Sequence, residues 1–215
     1  MVRKGFIRLD SNIQQRIIKA ALEEFSSKDY DTASLNNIIT EAGISKGSMY
    51  YYFHNKEDLY LYLIELCMEE KALHLRKAIS KAEKSFEEMG FFDNLQLQLS
   101  ALIDFAAQSS SYYQVILRLL KMPDTEMKNR IMGNNSIALD QYLDDLIREG
   151  QASEEIRNDF EPLFIKRVIS FITTRFTDLY PDADALLGAA PDGDNLKNEM
   201  FMLVELLKKG LAAQR

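Results

Sequence analysis

The sequence holds one cysteine, two histidines, four prolines and nine glycines in 215 residues. A single cysteine, Cys67, cannot close an internal disulfide and fits a reducing compartment. His54, His74 and Cys67 have no companions at ligand spacing, so no metal site is expected. No apolar run reaches the length of a membrane span; the longest, Leu59 to Met68, is broken by Glu65. The first 30 residues mix Arg3, Lys4 and Arg8 with acids and lack the apolar stretch of a secretion signal, so a cytoplasmic protein with no membrane partner is expected. A phosphate loop, a nucleophile elbow and a nucleotide fingerprint are also missing, so neither catalytic residues nor a cofactor is expected. Sustained period-two alternation is missing too. With long periodic segments between few prolines and glycines, and 47% hydrophobic residues, an all-α fold is expected.

The formal net charge is −7, which at first speaks against a nucleic-acid partner. Its distribution reverses that reading. Residues 1–60 carry eight Lys/Arg and eight Asp/Glu, so the 18 basic and 25 acidic groups of residues 61–215 account for the whole excess. Phosphate binding needs a local basic face, not a basic protein.

Helix signals are clearest in the first 60 residues. Ser11-Asn12-Ile13-Gln14 reads as a capping box, followed by Ile13, Ile17, Ile18, Ala21, Leu22 and Phe25 in one helical stripe. Thr32 reads as the cap of a short second helix that buries Leu35, Ile38 and Ile39 and stops at Gly43, a residue suited to the left-handed conformation of a helix end. Ser45 caps a third helix ending near Phe53. Asn55 caps a fourth, with Glu57 and Asp58 in its first turn, which is apolar nearly all round to Met68 and therefore expected to be buried on several sides. Further helices are expected at about 93–108, 111–121, 125–149, 160–179 and 194–209, punctuated by Met89-Gly90, Pro123-Asp124, Gly150, Pro181-Asp182 and Pro191-Asp192-Gly193.

Two short helices joined by a tight glycine-containing turn make a helix-turn-helix. Such a unit lays its second helix in the DNA major groove and its first across the backbone. On the wheel of the third helix, Met49 and Phe53 face inward with Ile44. Gly47, Ser48 and Tyr51 face solvent, flanked by Tyr50 and Tyr52. Lys46 can reach a phosphate or a guanine edge. Gly47 allows close backbone approach. Ser48 and the three phenols offer donors to bases or phosphate oxygens. Lys56, Thr32 and Ser34 stand at helix starts, where free N–H groups form anion sites. The alternative is packing: clustered tyrosines also brace helices, and Tyr50 is as well placed for that.

The same run resembles the N-terminal signature of the tetracycline-repressor (TetR) family. It matches in Phe25 at the end of an apolar helix, Thr32, Ile38, Ala42-Gly43-Ile44-Ser45-Lys46-Gly47, Met49-Tyr50, Phe53, Asn55-Lys56 and Leu59, over about residues 11–60. The resemblance implies binding of double-stranded operator DNA as a homodimer, a helical C-terminal effector domain, and repression relieved by a small molecule. Thr32, Ser34, Lys46, Gly47, Ser48, Tyr50, Tyr51, Tyr52 and Lys56 are similar to the family's DNA contacts. Ile39 departs from the small residue common there, and a local shift in packing is expected. The domains expected are residues 1–55 for DNA and residues 56–215 for ligand and dimerisation.

The C-terminal part carries no signature. Helices at about 160–179 and 194–209 are apolar over more than one stripe, as expected for burial against both a core and a second copy. An apolar or amphipathic effector would lie among Phe105, Tyr112, Tyr113, Met122, Met127 and Met132, since aromatics and methionines line apolar sites. Ordinary core packing is the competing reading for each. Gln96, Gln108, Gln114 and Arg118 are polar candidates beside them. A DNA-binding adaptor governed by a partner protein, with no small ligand, stands as the alternative function.

Overall fold

The computed structural model describes residues 4–82, 88–123, 126–175 and 193–211. Among them every regular element is a helix: α1 (Lys4–Ile7), α2 (Ser11–Ser27), α3 (Leu35–Ala42), α4 (Lys46–Tyr52), α5 (Lys56–Lys81), α6 (Phe91–Gln108), α7 (Ser110–Lys121), α8 (Glu126–Ala152), α9 (Pro162–Arg175) and α10 (Gly193–Leu211). No described helix is long and apolar enough to cross a membrane. The chain divides into two compact units, Met1–Lys71 with Ser109–Lys128, and Ala72–Gln108 with Asn129–Arg215.

In the first unit α2 packs on α3 and α7. Its core holds Ile17, Ala21, Phe25, Ile38, Ala42, Met49, Phe53 and Leu59, all essentially without exposed surface. The short α1 was not expected from the sequence. It exists because Phe6 is buried, with its ring 4.9 Å from that of Phe53 and 5.3 Å from that of Tyr62. That helix also changes the start of α2. The cap is Asp10, whose carboxylate accepts from the Asn12 amide at 3.0 Å, and not Ser11. Gln14 does not close a capping box: its side-chain amide donates to the Phe6 and Ile7 carbonyls at 2.6 and 3.1 Å. The orphan carbonyls at the end of α1 need that donor more than the start of α2 does. Within α7, Arg118 donates to the Ser26 carbonyl at 2.7 Å and pairs with Asp29 at 2.9 Å.

In the second unit α6 packs on α10. Its core gathers Phe91, Phe92, Leu95, Ile147, Ile156, Ile165, Met200 and Val204. The Glu155 carboxylate accepts from the Phe91 and Phe92 amides at 2.6 and 3.2 Å, which serves the open donors at the start of α6. Pro162 opens α9, where a missing N–H costs nothing. Gly150 does not end α8, which runs on to Ala152. A Cβ there would stand 2.8 Å from Ile156 and 3.2 Å from Phe91, so the glycine answers close packing inside the helix.

Candidate nucleic-acid interface

Local chemistry builds the turn between α3 and α4. Gly43 takes φ +61°, and its N–H returns to the Thr40 carbonyl at 3.0 Å. Arg16 on α2 donates to the carbonyls of Ala42 and Gly43, placing a cation where the helix dipole is negative. Ser45 then caps α4 by accepting from the Ser48 amide at 3.0 Å. Met49 and Phe53 are both fully buried, which fixes the rotation of α4 about its axis. Ile39 is buried within a regular α3.

With that rotation set, Lys46 and Gly47 are exposed, and Tyr50 and Tyr51 are 43% and 62% exposed. Tyr50 stands open at the helix surface, whereas the Tyr51 ring, though exposed, also lies against Gly5 of α1 and edge-on to Tyr52 at 5.5 Å. The Lys46 ammonium stands 6.0 Å from the Tyr50 ring centroid. A Cβ on Gly47 would meet nothing closer than the Ser45 hydroxyl at 3.8 Å, so no internal packing requires glycine there. Ser48 is half-buried, its hydroxyl 2.8 Å from that of Ser45. Tyr52 is half-buried, edge-on to Phe6 at 5.8 Å, and so belongs partly to the packing of α1.

At the start of α3, Ser34 rather than Thr32 is the cap, accepting from the Asn37 amide at 3.4 Å. Thr32 is exposed one turn before, its hydroxyl donating to the Asp29 carbonyl at 3.1 Å. A buried acid decides this register. The Glu24 carboxylate accepts from the Ser34 amide at 2.7 Å and from the Lys28 ammonium at 2.8 and 2.9 Å. Burial alone would raise the Glu24 pKa, but the bonds from Lys28 and Ser34 hold it below its ordinary value. Lys56 grips the same loop from the other side. Its ammonium donates to the carbonyls of Tyr30 (2.6 Å), Asp31 (3.3 Å) and Ala33 (3.0 Å) and lies 4.5 Å over the Tyr30 ring. Its three protons are thus directed into the protein and not toward solvent. Glu24 was not singled out from the sequence, although an acid inside the apolar stripe of α2, four residues before Lys28, was the available signal.

The effector candidates fall in both compact units. Tyr112 and Met122 are half-buried and Tyr113 is buried, all in the first unit on or next to α7, where half-buried Met127 follows at the start of α8. Phe105 belongs to the second unit, fully buried beside the His74 ring at 5.7 Å. The Met132 side chain lies outside the described residues. Burial pushes the Cys67 thiol up to about 12. Among the described residues no three His, Cys, Asp or Glu gather as metal ligands.

Two short helices around a left-handed glycine, with a hydroxyl, a lysine and two phenols turned outward from the second, suit a major groove. The family model for bacterial regulatory proteins of the tetR family matches residues 17–63, which span this unit. A solved TetR family transcriptional regulator from Chloroflexus aurantiacus J-10-FL is 27% identical with a TM-score of 0.77, covering 100% of both chains. Residues 17–63 thus carry the domain of the TetR family, and the chain as a whole is similar to TetR-family regulators. That similarity supports a transcriptional regulator. The chain is also similar to the fatty acid metabolism regulator protein of Bacillus subtilis (strain 168), 28% identical over 158 residues, 72% of this chain and 76% of that one. The transcriptional regulator AcuR of Cereibacter sphaeroides is 43% identical over 51 residues, but the chain spans only 23% of its length. In fold the chain resembles the transcriptional regulator FadR of Bacillus subtilis, solved in complex with stearoyl-CoA, at TM-score 0.60 and 22% identity over 88% of this chain and 96% of that one.

Proposed function

We propose that this protein is a cytoplasmic repressor that binds two operator half-sites as a homodimer and is released by a small amphipathic effector. The observation that carries the reading is α4, whose Met49 and Phe53 anchor it while Lys46, Gly47, Ser48, Tyr50 and Tyr51 face outward. In this reading those residues with Thr32, Ser34 and Tyr52 touch DNA, and Lys56 acts through the loop it holds. The head comprises residues 1–55, and residues 56–215 serve ligand binding and dimerisation. Support for the dimer comes from Leu163, Phe164 and Phe171 on α9 and Met202 and Leu206 on α10, each more than half exposed. Large apolar side chains left exposed on two helices of one unit support an interaction face. Support for a long-chain acyl effector comes from the two Bacillus subtilis proteins, one named for fatty acid metabolism and the other holding stearoyl-CoA. Tyr112, Tyr113, Met122 and Met127 are the residues of the first unit offered for its apolar part. The test is a footprint of the full chain on the DNA upstream of its own gene. Protection of an inverted repeat, lost on adding stearoyl-CoA, is expected. Protection that no acyl ligand relieves would favour the adaptor reading, and none at moderate salt would overturn the repressor reading.

A further inference from the structure

Among the described residues, half-buried lysines are supplied with acceptors, with one exception. Lys28 has Glu24, Lys56 and Lys128 have backbone carbonyls, and Lys166 and Lys197 have Asp144 and Asp104 at 2.9 and 2.6 Å. Lys71, on α5, is half-buried and has no such acceptor. It occupies the buried face of that helix: Cys67, one turn earlier, and His74, one turn later, are 0% and 4% exposed. The acids beside it in sequence are turned elsewhere. Glu69 is exposed, and Glu70 accepts from the Ser109 hydroxyl at 2.9 Å. That bond holds the start of α7, whose first turn carries half-buried Tyr112, against the turn of α5 that carries Lys71. Burial also lowers the pKa of Lys71 below the ordinary lysine value, with no opposing contribution from an acid.

Leaving an ammonium half-buried without a counter-charge is costly, and proteins keep such groups where something else completes them. A lysine that retains some accessible surface on an otherwise buried helix face is open to a ligand approaching that face. We propose that Lys71 is the cationic contact of the effector site and that the effector is an amphipathic anion, its apolar chain among Tyr112 and its neighbours and its charged head on the Lys71 ammonium. This rests on the effector reading given above and adds the sign of the ligand's charge and the residue that reads it. Carboxylate and phosphate oxygens share the required chemistry.

Calorimetry on the full chain tests it with three probes of equal chain length below their micellar concentrations: stearate, stearoyl-CoA and octadecan-1-ol. Wild type is expected to bind at least one anion, and the stronger of the two tells carboxylate from phosphate. Lys71→Met should weaken that anion by about 10- to 100-fold, the loss of one charge-assisted contact, and leave the neutral alcohol unchanged. Lys71→Arg should stay within a few-fold of wild type. Without ligand, Lys71→Met should melt no lower than wild type, because it removes an uncompensated charge. Should Lys71→Met fail to fold, Lys71→Gln carries the same comparison. Equal anion affinity in wild type and variant would overturn the assignment of Lys71 while leaving the effector reading intact. Equal weakening of anion and alcohol would also overturn it, as damage to the site in general. Wild type that binds none of the three probes would overturn both.

Discussion

Removing the Lys56 ammonium should disturb DNA binding through the protein and not through a lost phosphate contact. Its three donors close on the carbonyls of Tyr30, Asp31 and Ala33, in the loop that carries Thr32 and leads into the Ser34 cap. A hydrogen bond with one charged partner contributes about 1.5–3 kcal/mol. Bonds that share one ammonium are not additive, so Lys56→Met is expected to cost about 2–3 kcal/mol in all. In a chain of this size that lowers the melting temperature by roughly 5–10 °C. Operator affinity should fall because Thr32 and Ser34 lose their placement. A phosphate contact would show differently, since each one lost reduces the salt slope by about 0.9. The assay is a calorimetric melt beside fluorescence-anisotropy titrations of an operator duplex over a series of salt concentrations, well below the melting range. Weaker binding with an unchanged salt slope and a lowered melting temperature is expected. A slope reduced by about 0.9 with no change in melting would refute the reasoning and return Lys56 to the phosphates.

Three further outcomes are expected of the same molecule. Gly47→Ala, in the first turn of α4, should raise stability by up to about 0.5 kcal/mol, yet weaken operator binding at least about tenfold, the effect of roughly 1.4 kcal/mol of lost contact; unchanged binding in a titration would remove Gly47 from the interface. Phe171→Glu should give folded monomers by light scattering, since Phe171 is 67% exposed. Its neighbour Ile172 is half-buried, so the same change there would also injure the core; a wild-type monomer at micromolar concentration would contradict the dimer. Glu24 is held below its ordinary pKa of 4.5 in the folded state, so its charged form stabilises the protein above that pH and the contribution is lost as pH falls through the folded value. Thermal melts from pH 6 to pH 3 should therefore fall less steeply for Glu24→Gln than for wild type, and equal slopes would deny Glu24 that role.

The sequence disclosed those parts of the site that local chemistry decides. Gly43, Ser45 and Asn55 act where their side chains or lack of one dictate: a left-handed turn and two caps. The inward pair Met49 and Phe53 followed from helical spacing alone. Choices settled by distant partners were not legible. Asp10 displaced Ser11 as a cap once α1 drew Gln14 to its own carbonyls. Ser34 displaced Thr32 because Glu24, ten residues back, fixes its amide. Gly150 looked like a stop and is a close contact between α8 and its neighbours Ile156 and Phe91. Lys56 carried the right charge for a phosphate, yet its reach to three carbonyls depends on where the loop of residues 30–33 returns. That α7 packs on α2 could not be read from either helix, since an apolar stripe announces burial without naming what covers it.

In the proposed function α4 reads a DNA sequence. Selection of the full chain against a pool of random duplexes at moderate salt tests it most directly. The expected result is enrichment of one inverted repeat, with half-sites spaced for two heads about one helical turn apart, roughly 34–36 Å, and loss of that enrichment when Lys46 and Tyr51 are both changed to alanine. A pool that emerges with no sequence preference, or one whose preference survives that double change, would contradict it.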